Sequence, residues 1–227
     1  MIQLHLFSSP GEGDVSAIIE ACRPYLIQQS QPVLAYLPAA AVGYNWLDYT
    51  QKAFKDLAEI ALIDVETMTL AAVEAILDRS GVLYISGGNT FLLNHRLHTT
   101  GAIELIQRKV RSGLPLVGFS AGTILCGPNI LTSSDMNICA TSHFAGLGLT
   151  PYNFDCHYPE EETLRAMCDE WLVGYHVFHH NPIIILADGD YIRVTDQATV
   201  LARGNAWLLA KGQPRQKIAT GEPLPTL

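Results

Sequence analysis

Apolar residues alternate with polar ones at Ile2, Leu4 and Leu6, so the chain is expected to open on a strand. A loop over Ser8–Asp14 follows, and Asp14 is placed to cap a helix carrying Ile18, Ile19, Cys22 and Leu26. Pro32 leads into V-L-A-Y-L, a second strand that ends at Pro38. Leu47, Tyr49, Phe54 and Leu57 predict a helix from about Trp46 to Glu59, with a short strand near Ile60–Ile63 after it. Thr67–Arg79 is amphipathic at helical spacing, and Gly81 is expected to close it. Val82–Ile85 reads as a buried strand ending in Ser86-Gly87-Gly88-Asn89, where Asn89 caps a helix to about His98. A further helix over Ala102–Arg111 precedes the mostly apolar strand Leu116–Phe119.

Strand and helix thus alternate as far as Ser120, which implies an α/β fold: a parallel sheet with helices on both faces. In such sheets the ligand sits beyond the carboxyl ends of the strands. Both Gly-rich turns, Gly87-Gly88-Asn89 and Gly118–Gly122, fall at that end and could face each other. After Gly127-Pro128 the pattern changes to short segments: Ile138–Thr141, Leu147–Phe154, Ile183–Leu186, Tyr191–Val194, Thr199–Ala202, Trp207–Ala210 and Lys217–Thr220. The last four or five are expected to be strands and hairpins near a sheet edge, and one helix, Glu161–Leu172, interrupts the series. No low-complexity linker or internal repeat divides the chain, so residues 1–227 read as one domain.

Composition narrows the class. Hydrophobic content of 48% with 16% charged residues describes a globular core, not a disordered chain. A net charge of −8 and no Lys/Arg run argue against a nucleic-acid partner. The amino-terminal stretch lacks a basic region and turns acidic at once, unlike a signal peptide, and no run of apolar residues is long enough for a membrane span. Five cysteines, an odd number without a C-x-x-C pair, fit reduced thiols in a cytoplasmic protein. His176, His179 and His180 cluster, but no cysteine or carboxylate stands nearby at metal-site spacing, so no metal site is expected.

The stretch with chemistry in it is L-V-G-F-S-A-G-T-I-L-C, Leu116–Cys126. Ser120 sits on a Gly-x-Ser-x-Gly turn between a strand and an apolar helical start. Such a turn lifts the hydroxyl clear of the sheet and lets a substrate approach. The N–H of Ala121, at the helix start, is placed where an oxyanion would form. A serine nucleophile also needs a base and a group to orient that base. His157 lies at an expected strand end, where a side chain projects into a cleft; His143, in a small-residue loop, and His5, on the first strand, are the other candidates. For the acid, Asp135, Asp155, Asp188 and Asp190 are open choices, Asp188 being held rigidly after the apolar run I-I-I-L-A.

S-G-G-N-T-F at Ser86–Phe91, G-F-S-A-G at Gly118–Gly122, S-D-M at Ser134–Met136 and G-L-G-L…H-Y from Gly146 to Tyr158 occur in that order. Together they resemble peptidase E, the aspartyl dipeptidase family of serine peptidases related to cyanophycinase. The resemblance implies a three-layer sandwich with a mostly parallel central sheet, like the class I glutamine amidotransferase domain. It implies Ser120 as nucleophile, His157 as base, an acid on the segment holding Asp188, Asp135 as rival third member, and Gly88 beside Ala121 in the oxyanion hole. Asn89, Thr90 and Arg165 fall where the family binds substrate, a dipeptide with amino-terminal aspartate, and no metal or organic cofactor is required. Two departures stand out. The family usually has Glu before Gly where this chain has Asp188-Gly189, and Glu-Thr-Arg where it has Glu162-Thr163-Leu164, with Arg165 one position later. A one-residue shift turns a helical side chain by about 100°.

Two other readings compete. One is an esterase on an α/β-hydrolase frame, for which Asp135 before His157 gives the right order of triad members. The other is an amidotransferase-like domain that binds a ligand without turnover. The expected partner is a small peptide, and a homodimer is left open.

Overall fold

Residues 1–9, 15–41 and 45–225 are described by a computed structural model of the chain. Strands β1 (Gln3–Phe7), β2 (Val33–Leu37), β3 (Glu59–Leu62), β4 (Val82–Ile85) and β5 (Leu116–Phe119) run parallel in the order β3-β2-β4-β5-β1. Their side chains alternate between two cores. Leu34, Tyr36, Val82, Tyr84 and Val117 face α1 (Ser16–Leu26) and α2 (Asn45–Phe54). Ala35, Leu37, Leu83, Ile85 and Leu116 face α3 (Leu70–Arg79), α4 (Thr90–Thr100), α5 (Ala102–Arg111) and the short α6 (Ala121–Ile124). This double burial is why the strands read as continuous apolar runs, and it makes three layers.

The second half builds beside that sheet. β6 (Asn153–Asp155) leads through α7 (Glu162–Phe178) to β7 (Ile183–Ile185), which pairs with β6 in parallel. β8 (Tyr191–Thr195) and β9 (Thr199–Arg203) extend the first sheet antiparallel beyond β1. β10 (Trp207–Leu209) and β11 (Gln216–Lys217) complete a separate four-stranded sheet of order β11-β10-β7-β6. The expected run of edge strands is therefore split between two sheets.

Several boundaries differ from expectation for local reasons. The second helix stops at Phe54, whose carbonyl accepts from Leu57 and Ala58, because Glu59 already pairs with β2. α3 starts at Leu70, capped by Thr69, while Thr67 Oγ1 donates to Asp64 instead. Gly81 does not close α3 in a left-handed cap: Ser80 ends the helix extended. Gly81 is required by space, since a Cβ there would lie 2.7 Å from the Tyr25 carbonyl. Asn89 caps α4, its Oδ1 accepting from Leu92 N–H at 2.9 Å. α7 runs on past Leu172 to Phe178. Ile138–Thr141 is irregular, and only Asn153–Asp155 of the 147–154 region and its surroundings is strand. The expected cap Asp14 lies outside the described residues. No helix among the described residues is long and apolar enough to cross a membrane.

Candidate active site

β5 lies between β4 and β1, and the chain reverses where it ends. Ser120 makes that bend at φ 51° and ψ −110°, a conformation unfavourable for a residue bearing a Cβ. It is held from all sides. Ser120 N–H donates to the Phe7 carbonyl at 2.9 Å, and Thr123 Oγ1 donates to Phe7 O at 2.8 Å and Gly118 O at 3.0 Å. The two glycines are needed because backbones touch here. A Cβ on Gly118 would meet Gly122 O at 2.8 Å, and one on Gly122 would meet Ile85 O at 2.3 Å. The Gly-rich turns after β4 and β5 therefore abut: a Cβ on Gly87 would lie 3.1 Å from Ser120 Cβ.

Two amides belong to these adjoining turns, those of Ala121 and Gly88. Ala121 begins α6, so its N–H is one of the orphan donors of a helix start. Gly88 adopts φ 138°, and a Cβ there would be 2.5 Å from Ala40 O. Neither N–H has a hydrogen-bond partner among the described residues.

The parallel pairing of β6 with β7 brings the other two side chains together. Asp155 is in register with Ile185, so the chain beyond each strand emerges at the same edge. His157, two residues past β6, and Asp188, three past β7, meet there. Ser120 Oγ lies 2.8 Å from His157 Nε2, and His157 Nδ1 lies 2.7 Å from Asp188 Oδ1. With Nδ1–H donating to the carboxylate, Nε2 accepts from the serine hydroxyl. His157 itself has φ 61°. Its N–H donates to Ser8 Oγ at 2.9 Å, a contact absent from the motif reading, since Ser8 ends an apolar strand and carries no pattern of its own.

The other candidates make no hydrogen bond to Ser120 or His157 among the described residues. His5 is buried, bonded to Tyr191 and, at 2.7 Å, to Tyr25, and burial lowers its pKa to about 4. His143 stacks on His98 at 4.8 Å. Asp190 holds the turn after β7, accepting from Ala187 N–H at 2.8 Å and Asn205 N–H at 2.9 Å. Asp155 is buried, and that burial, with Asp169 nearby, lifts its pKa to about 7. Asp135 does not touch His157. Its Oδ2 accepts from Thr90 N–H at 2.7 Å and Ser133 Oγ at 3.0 Å. Asn89 is occupied by its cap and by the Met136 carbonyl at 2.9 Å, and Thr90 is fully buried. Arg165 donates to Pro159 O at 2.7 Å and lies over Tyr158. His176 bonds to Asn181 O and His179 stacks on Tyr175, and no group of three potential ligands is gathered for a metal among the described residues.

Ser120, His157, Gly88 and Asp135 share the wall of a cavity of about 550 Å³. Trp46 and Ala53 of α2 contribute to it, together with Ile18 of α1 and Phe119 before the Ser120 turn. No periodicity in the sequence marks these residues as neighbours, and only the layer packing shows that they border one space.

A hydroxyl on a strained strand-to-helix bend, bonded to an imidazole that is bonded to a carboxylate, is the constellation of a serine hydrolase on a parallel α/β sheet. The sheet and its covering helices are consistent with the class I glutamine amidotransferase-like fold. Residues 4–202 match the model of Peptidase family S51. A Peptidase E of Streptomyces coelicolor is 32% identical over 226 residues, covering 90% of this chain and 89% of that protein. A Peptidase E of a Shewanella species is 32% identical over 229 residues, covering 96% and 95%. Among solved structures, that of a putative Peptidase E protein from Listeria monocytogenes superposes with a TM-score of 0.71 at 22% identity, over 90% of this chain and 99% of that one. The chain belongs to peptidase family S51 and is a serine-type peptidase.

Proposed function

We propose that Ser120, His157 and Asp188 form the triad of a peptidase that hydrolyses short peptides through an acyl-enzyme. The observation that carries this is the continuous chain from Ser120 Oγ through the imidazole to Asp188, at 2.8 and 2.7 Å. Ser120 attacks the peptide carbonyl while His157 Nε2 takes the hydroxyl proton. Asp188 holds the imidazole with Nδ1–H toward it and stabilises the imidazolium. The N–H groups of Gly88 and Ala121 receive the oxyanion, and loss of one such donor typically costs about a hundredfold or more in turnover. His157 then protonates the leaving amine, and water attacks the acyl-enzyme by the reverse of the same proton path.

The aspartate side of the reading stands differently. Selectivity for amino-terminal aspartate calls for a cation near its side chain. Arg165, the cation expected from the resemblance, is engaged with Pro159 and Tyr158 and does not line the cavity. The geometry therefore favours peptidase chemistry with the acyl residue left to the cavity to select. A fluorophosphonate probe should label the protein at Ser120 and leave Ser120→Ala unlabelled. A dipeptide panel should be hydrolysed by the first and not the second. Equal hydrolysis by both proteins removes Ser120 from the mechanism.

A further inference from the structure

Resting on the peptidase reading, we infer that the cavity beside Ser120 takes a large apolar or aromatic side chain at the amino terminus of the substrate, with Asp135 receiving its α-ammonium group. The cavity is bordered by Ile18, Tyr36, Trp46, Phe54, Tyr84 and Phe119, and no Lys or Arg lines it among the described residues. Arg96, close to the Gly88 turn, is committed: it donates to Ala39 O and Ala41 O and pairs with Glu66 at 2.8 Å. A carboxylate moved into such a space loses water without gaining a cation, and it meets the like charge of Asp135.

Asp135 completes the selection. Both of its side-chain contacts as acceptor go to Oδ2, and Oδ1 has no protein partner among the described residues. A free carboxylate oxygen on the wall that carries Ser120 and Gly88 suits a peptide's terminal ammonium once the acyl carbonyl is at the oxyanion site. Volume agrees with the assignment: about 550 Å³ is in the range of sites that enclose a small ligand. Each methylene buried in an apolar specificity pocket is worth roughly tenfold or more in discrimination. A benzyl side chain therefore has ample means to outcompete a methyl.

The test uses the full chain. On Ser120→Ala protein, calorimetry should give Phe-Ala binding at least tenfold tighter than Asp-Ala, and N-acetyl-Phe-Ala at least tenfold weaker than Phe-Ala. With Ser120 intact, kcat/KM should favour Phe-Ala over Asp-Ala by the same factor. Ala53→Phe, which fills the cavity, should move the Phe-Ala to Ala-Ala preference at least tenfold toward Ala-Ala. Asp-Ala binding as tightly as Phe-Ala overturns the assignment, and acetylation without effect overturns the role of Asp135. The binding arm needs no turnover, so its failure is distinct from absence of Ser120-dependent hydrolysis, which would sink the peptidase reading itself.

Discussion

The N–H of His157 and the carbonyl of Leu186 share one hydroxyl. Ser8 Oγ accepts from His157 N–H at 2.9 Å and donates to Leu186 O at 3.2 Å. Ser8 follows β1 in the central sheet, whereas His157 and Leu186 follow β6 and β7 in the second. This buried hydroxyl therefore holds the left-handed backbone of His157 and ties the edge carrying the imidazole to the sheet carrying Ser120.

Removing that hydroxyl should loosen the imidazole without touching the reacting atoms. For Ser8→Ala we expect kcat to fall about tenfold with KM little changed, since positioning errors act on the chemical step. Unfolding in urea should show a loss of about 1 kcal/mol, the usual size for a buried hydrogen bond. A normal kcat beside that stability loss would show that the bond serves folding only.

Asp188→Asn tests the third member. An amide oxygen can still accept from Nδ1–H, but the negative charge that stabilises the imidazolium is gone. Turnover should fall by about a hundredfold or more, with little change in the unfolding midpoint, because the Asp188 side chain is 62% exposed. Asp135→Asn should instead raise KM for peptides with free amino termini. Near-normal kcat in Asp188→Asn would move the acid role away from Asp188.

Gly88→Ala combines two penalties at the proposed oxyanion site. The residue would carry a Cβ at φ 138° and 2.5 Å from Ala40 O, so the turn must shift. The N–H moves with it, and kcat should drop by at least about a hundredfold, the typical cost of one oxyanion donor. Rates on peptide and ester substrates should fall together, because both pass through an oxyanion. An effect on KM alone would place the oxyanion elsewhere.

How far these roles are visible in the bare chain depends on whether their cause is local. Ser120 shows because its bend needs Gly118 and Gly122 in fixed register, and Asn89 shows because a helix cap is a local hydrogen bond. The apolar runs of β2, β4 and β5 announce double burial on their own. Ser8 is silent because its partners are 149 and 178 residues away. The choice among Asp135, Asp155, Asp188 and Asp190 is likewise tertiary: each sits in a plausible polar setting, and only the β6–β7 pairing sets Asp188 against the imidazole. The contact of Arg165 with Pro159 O is tertiary too, and no local pattern announces it.

Asp155 gives a prediction in pH. Burial raises its pKa from 3.8 to about 7, and its Oδ2 has no hydrogen-bond partner among the described residues. Between about pH 4 and pH 7 the folded protein keeps a proton there that the unfolded chain has released. The unfolded state then binds fewer protons, so this group makes stability fall as pH rises, by up to about 1.4 kcal/mol per pH unit. His5 acts in the opposite sense. Its pKa drops from 6.5 to about 4, so the fold holds it neutral while the unfolded chain is protonated, and stability falls as pH drops through that interval. The two slopes oppose each other below about pH 6.5 in the native sequence. Asp155→Asn removes one of them. The variant should gain stability relative to the native chain progressively from pH 4 to pH 7, and lose stability more steeply on acidification below pH 6.5. Urea unfolding of both proteins at about pH 5 and pH 8 measures this, and a stability difference that is the same at both values would mean that Asp155 titrates as an ordinary surface carboxylate.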